Sequence, residues 1–190
     1  MSVAKLAARA LIGGLFIGHG TQKLKGWFGG PGMEGTQAMM QSLDMHPPRR
    51  NALAAGVTET AGGAMLAAGL ATPLASAALI GVMTTAIRKV HLPNGPWAAN
   101  GGWEYNAVLI AACAVLAEQG PGAASLDRLL GTERTGVAWG LAALALGVAA
   151  SAATVEAGRR AAPATSGGTD ATEGGGSPYP DTAGDPVTED

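Results

Sequence analysis

The chain has 190 residues, of which 47% are hydrophobic and 14% charged, with a formal net charge of −2 and a mean hydropathy of +0.21. That composition is too apolar for an ordinary soluble domain. A single cysteine, Cys113, excludes an internal disulfide and a CxxC redox pair.

The negative charge belongs to one end. Asp170, Glu173, Asp181, Asp185, Glu189 and Asp190 lie in residues 163–190 with no Lys or Arg among them, so the rest of the chain is net basic. A run of Gly, Ser, Thr, Pro and acid cannot bury enough apolar surface to fold, which predicts a disordered acidic tail over residues 161–190. No nucleic-acid partner is expected.

Five stretches approach the length of about 20 mostly apolar residues that a helix needs to cross a bilayer. Residues 3–21 form the first, interrupted by Arg9 and His19. Lys5 and Arg9 precede its apolar part as in a signal peptide, but His19-Gly20-Thr21-Gln22-Lys23 is no cleavage site, so an uncleaved span is expected. Gly14 and Gly18 within it make a GxxxG pair suited to helix packing.

The connection 24–50 is long. Gly26-Trp27-Phe28-Gly29-Gly30-Pro31-Gly32 reads as an interfacial turn with its aromatics at headgroup level. Residues 36–44 place Met39, Met40 and Leu43 on one face of a short helix lying on the membrane. His46, before Pro47-Pro48, reads as exposed loop.

The second stretch, 51–71, is apolar except for Glu59 among threonines, and carries Gly62-Gly63. The third, 73–90, starts at a proline suited to a first helical turn and ends in Arg88-Lys89. The tight link between them makes an antiparallel hairpin. Residues 91–106 then gather His91, Asn94, Trp97, Trp103, Glu104, Tyr105 and Asn106 into one polar segment. The fourth stretch, 103–117, is short, and the fifth, 136–155, is free of charge along its length, with Gly136 and Gly140 in a second GxxxG.

Spans that carry charge are expected to turn it towards a bundle interior, because charge facing lipid is costly. Threading the five spans antiparallel sets His19, the start of span two, Arg88, His91 and Glu104 at one membrane level. Glu59 lies about 12 Å deeper at about 1.5 Å rise per residue. Lys23 is i+4 from His19 on the same helical face. The candidate polar site is therefore His19, Lys23, Glu59, Arg88, His91, Asn94, Trp103, Glu104 and Asn106, with Arg9 entering from the opposite side. Lys89 reads as a helix-end anchor.

No tight metal-ligand spacing, phosphate loop, nucleotide fingerprint, Ser-His-Asp order or CxxCH haem attachment is present, and no metal is expected. Lys23, Lys25, Arg49, Arg50, Arg88, Lys89, Arg159 and Arg160 collect on one side and Lys5, Arg128 and Arg134 on the other. The positive-inside rule then puts the acidic tail in the cytoplasm of a multi-pass cell-membrane protein.

The ordered motifs Arg9…Gly14…Phe16…His19-Gly20-x-x-Lys23-Leu24-x-Gly26-Trp27-Phe28-Gly29-Gly30-Pro31-Gly32, Glu59-x-x-Gly62-Gly63, His91 and Gly101-Gly102-Trp103-Glu104-Tyr105 resemble the DoxX family of small membrane proteins, over about residues 3–130. The resemblance implies an all-α, four-helix transmembrane bundle over residues 1–130. Residues 131–160 would add a fifth transmembrane helix, a departure from that pattern. The family takes its name from a subunit of a thiosulfate:quinone oxidoreductase. The resemblance thus implies a membrane redox component, with a quinone as the cofactor and a soluble or membrane oxidoreductase as partner beside the lipid bilayer. Its motif residues here are Arg9, His19, Lys23, Glu59, His91 and Glu104. Whether the chain is itself catalytic stays open. A non-enzymatic membrane anchor or assembly subunit, and a small proton-linked transporter, are the competing readings; no inverted repeat supports the last.

Overall fold

A computed structural model of the chain describes residues 3–162. The acidic tail lies outside the described residues, apart from Ala161 and Ala162. Seven α-helices and short 3-10 turns account for the order of elements, with no strand among the described residues. They are α1 (Val3–Lys25), α2 (Gly32–Ser42), α3 (Pro48–Ala68), α4 (Thr72–Ala86), α5 (Glu104–Gln119), α6 (Leu126–Leu130) and α7 (Val137–Arg160). Five of these are long, and they coincide with the five apolar stretches.

Two features set helix lengths. Proline at the first turn of α3 and of α4 starts each helix where a missing N–H costs nothing. Gly69, left-handed at φ 65°, ends α3 by donating back to Leu66 and Met65, as a glycine C-cap does. Beyond Ala86, α4 runs on as a π-helical turn over Ile87–His91, a local widening of the helix often found at functional sites.

Packing is pairwise. α1 lies on α3, α4 lies between α3, α5 and α7, and α2 leans on α1 and α3. The main core joins Phe16, Leu66, Leu79, Ile80, Leu109, Cys113 and Leu116. The close approach of α1 to α3 comes from glycines other than the expected pair. A Cβ on Gly20 would stand 2.6 Å from the Gly56 carbonyl oxygen, and one on Gly63 2.6 Å from that of Gly13. Gly14 and Gly18 meet nothing within 4 Å; their GxxxG faces away from the bundle. Large apolar side chains such as Leu11, Val57, Val108, Val115, Leu141 and Leu146 point outward.

His46 differs from its expected exposure. Its ring is mostly covered and lies 3.0 Å from Asp44 Oδ1, beside the end of α7 at Gly158. The turn after α1 keeps Trp27 and Phe28 exposed, edge to face with each other.

A cavity with a buried ion pair as the candidate functional site

Because Gly20 and Gly56 let α1 and α3 nearly touch, Lys23 and Glu59 meet across them. Lys23 Nζ donates to Glu59 Oε2 at 2.7 Å, and Glu59 is 1% exposed. A second, weaker bond ties Nζ to the His19 carbonyl at 3.5 Å. Breaking such a buried pair on one side leaves an uncompensated charge, so the two residues stabilise the fold only together. Within the bundle, no other protein group bonds the second Glu59 oxygen.

The pair lines a cavity of about 790 Å³, inside the range of about 300–1,000 Å³ typical of small-molecule sites. α2 and the turn after it supply an apolar wall of Met39, Met40, Leu43 and Met45. α4 adds Val82, Met83 and Thr85, and α7 adds Ala150, Ser151 and Thr154. Polar side chains gather elsewhere on the rim: His19, Lys23, Glu59, Lys89, His91, Tyr105 and Asn106. The walls are thus mainly apolar with a few placed polar groups, which is how sites for amphiphilic molecules are built.

Each polar residue is held by its neighbours. His19 Nδ1 lies 3.2 Å from Gln22 Oε1, and the ring meets Tyr105 edge-on with centroids 6.4 Å apart. His91 Nδ1 donates to the Gly101 carbonyl at 2.7 Å, which leaves Nε2 as an acceptor. Asn106, 6% exposed, donates to the Met83 thioether sulfur at 3.4 Å.

The remaining candidates do not line the cavity; they brace its surroundings. Glu104 Oε1 accepts from the Ala98 amide at 2.7 Å and Asn94 Nδ2 donates to the Gly101 carbonyl at 3.2 Å. Trp103 donates its backbone N–H to Gly95. Together they fold the 91–106 segment onto itself above the site. Arg88 instead reaches Ser151 Oγ at 3.5 Å, tying the π turn to α7.

Arg9 is not part of the cavity. It stands 14 residues before Lys23 on α1, about 21 Å away along the helix axis. Its guanidinium is 2% exposed and donates to the carbonyls of Pro121, Ala67 (3.0 Å) and Ala124 (2.9 Å). Nearby, Asp127 accepts from the Ala71 amide (2.8 Å), the Thr72 amide (3.1 Å) and the Thr72 hydroxyl (3.0 Å), and also from Thr132. Burial alone pushes the Asp127 carboxyl up, but these four donors outweigh it and hold it below the ordinary aspartate range.

Sequence reasoning missed Lys89, Tyr105 and the methionine wall. Lys89 follows the ordinary pattern of a helix-end cation, and the π turn that carries it has no signature in the residues. Methionines at helical spacing look the same whether they fill a core or line a space.

The family model for DoxX matches residues 4–92. That is a little under half of the chain, and over those residues the sequence is similar to the DoxX family. The chain is accordingly an all-α membrane protein, and the matched part contains α1 to α4 with His19, Lys23, Glu59, Arg88 and His91. Neither the curated proteins nor the solved structures contain a match to this chain. The DoxX match ends before α5, so Glu104, Asn106 and all of α7 lie beyond it. Among the described residues only α7 is both long and apolar enough, taken alone, to count as a membrane span. Of the other long helices, α1 and α3 carry charge, and α4 and α5 have only 15 and 16 residues.

Proposed function

We propose that this DoxX-like protein is a multi-pass component of a quinone-linked redox system, and that the cavity holds the quinone ring. The observation that carries the reading is the Lys23–Glu59 pair, buried between α1 and α3 yet lining an apolar cavity. Five long helices with outward apolar and inward charged side chains fit several membrane crossings, since lipid penalises exposed charge. The basic residues of the loops at the cavity end favour its facing the cytoplasm.

The residues suit such a ring. Lys23 and His19 can donate to a carbonyl oxygen, and the methionine wall can adapt to a flexible apolar tail. When bound, a quinone supplies two-electron chemistry coupled to two protons, with electrons drawn from a partner oxidoreductase. The two protons that reduction of the ring would take up could be delivered by Lys23 and Glu59, with His19 on the polar rim as the entry side. The buried Glu59 carboxylate holds the partly covered Lys23 ammonium in place to donate to the carbonyl oxygen.

The test is binding of decylubiquinone to the purified full chain in lipid nanodiscs. Saturable binding that Glu59→Gln weakens at least tenfold, without loss of folded protein, supports the reading. Absence of saturable binding to the wild type ends it. The competing role of a non-enzymatic anchor predicts instead that Glu59→Gln leaves both partner capture from membranes and cellular function intact.

A further inference from the structure

Asn106 is the most underused polar group in the cavity. It sits on the first turn of α5, is 6% exposed, and opens on the same space as Lys23 and Glu59. Its one side-chain bond is to the Met83 sulfur, and a thioether is a weak acceptor. Among the described residues, the second amide N–H and the carbonyl oxygen have no protein partner. Nor are these atoms sealed in the interior: Arg9 Nε and Ser76 Oγ are the unpartnered side-chain atoms shut off inside the described residues. A buried carboxamide is costly unless its hydrogen bonds are made, so this one is matched to something that enters the cavity.

Lys23 and His19 come from α1, whereas Asn106 comes from α5, with Tyr105 bridging to His19 edge-on. Polar groups thus reach the cavity from more than one helix, with Lys23 on α1 and Asn106 on α5. We infer that Asn106 is the specificity-determining residue that binds the second carbonyl oxygen of a ring whose first carbonyl is held at Lys23. The selected class is a ring with two carbonyl acceptors at opposite ends, a para-quinone, over amphiphiles with one acceptor. This rests on the quinone reading above and adds to it a named residue and a basis for discrimination.

The experiment compares decylubiquinone with an aryl ketone carrying the same decyl chain and one carbonyl, both titrated into the full chain in nanodiscs. Wild type is expected to prefer the quinone about tenfold, the size of one hydrogen bond. Asn106→Leu should lose that preference by weakening the quinone and leaving the ketone unchanged. Equal weakening of both ligands, or no change in either, overturns the inference while the quinone reading survives. Failure of the wild type to bind either ligand removes the quinone reading, and this inference with it. Should Asn106→Leu not fold, Asn106→Ser and Asn106→Ala carry the same comparison. Serine, which keeps a donor, should retain more of the preference than alanine, and equal preference in the two overturns the assignment.

Discussion

The two ends of the bundle bury charge in opposite ways. At one end, Arg9 is surrounded by three backbone carbonyls and Asp127 by four donors. At the other, Glu59 has one protein partner and Asn106 only a sulfur, and both border open space. The first arrangement is closed: apart from the shut-off Arg9 Nε, the polar atoms of Arg9 and Asp127 are spent on fixing α4, α6 and the loop before α6 against α1. The second is open, with capacity left over. A buried charge is thus not by itself a sign of a site; what separates the two ends is whether the polar atoms are already used.

Substitutions at the two ends should therefore diverge. The largest effect is expected for Arg9→Met, which strips three carbonyls of their donor, one buried and two partly buried, at up to about 1–3 kcal/mol each. Size-exclusion chromatography in detergent should show little monodisperse protein, whereas Glu59→Gln, which strands only the partly exposed Lys23 cation, should lose much less. If Arg9→Met were as stable as wild type, the closed end would not be the structural clamp described here.

Next in size is Lys23→Met, which leaves the Glu59 carboxylate buried without its cation and should cost about 3–5 kcal/mol. The double variant Lys23→Met/Glu59→Leu should regain most of that in thermal unfolding. A double variant no more stable than the single one would show that the pair is not the coupled unit that the 2.7 Å contact implies.

The Asp127 carboxyl gives a pH signature. Its folded pKa is depressed, so its contribution is full above the ordinary aspartate value of about 3.9 and is lost as pH falls through the lower folded value. Asp127→Asn should lower the thermal midpoint near neutral pH, and the gap to wild type should narrow in acid below about pH 4. A gap that stays constant would mean that the four donors do not favour the charged form.

The smallest effect belongs to Glu104→Gln. It weakens one carboxylate bond to the Ala98 amide, worth about 1 kcal/mol. Hydrogen exchange at Ala98 should quicken while the global midpoint stays put.

Much of this was legible in the residues. Apolar length, prolines at helix starts and Gly69 at a helix end announced five long helices and the hairpin between α3 and α4. Antiparallel threading brought His19 and His91 to one level, with Glu59 about 12 Å deeper on the same side, because helix rise is regular and depth can be counted. Arg9 was visibly on the other side. The family motifs did not separate it from the rest, because a motif records which residues recur and not which of them meet. The roles of Glu104 and Asn94 as braces were hidden, since a carboxylate or amide in a polar loop looks the same whether it faces a ligand or caps the backbone beside it.

The sequence by itself determined the helix positions and the membrane character, which follow from local composition. Only the tertiary structure decided which glycines bring α1 against α3 and hence that Lys23 reaches Glu59. It also decided that α2 and α7 wall a cavity over that pair, and that Asn106 is left with a weak partner. These depend on rotation about each helix axis and on side-chain packing between elements far apart in the chain, and periodicity along one helix does not encode them.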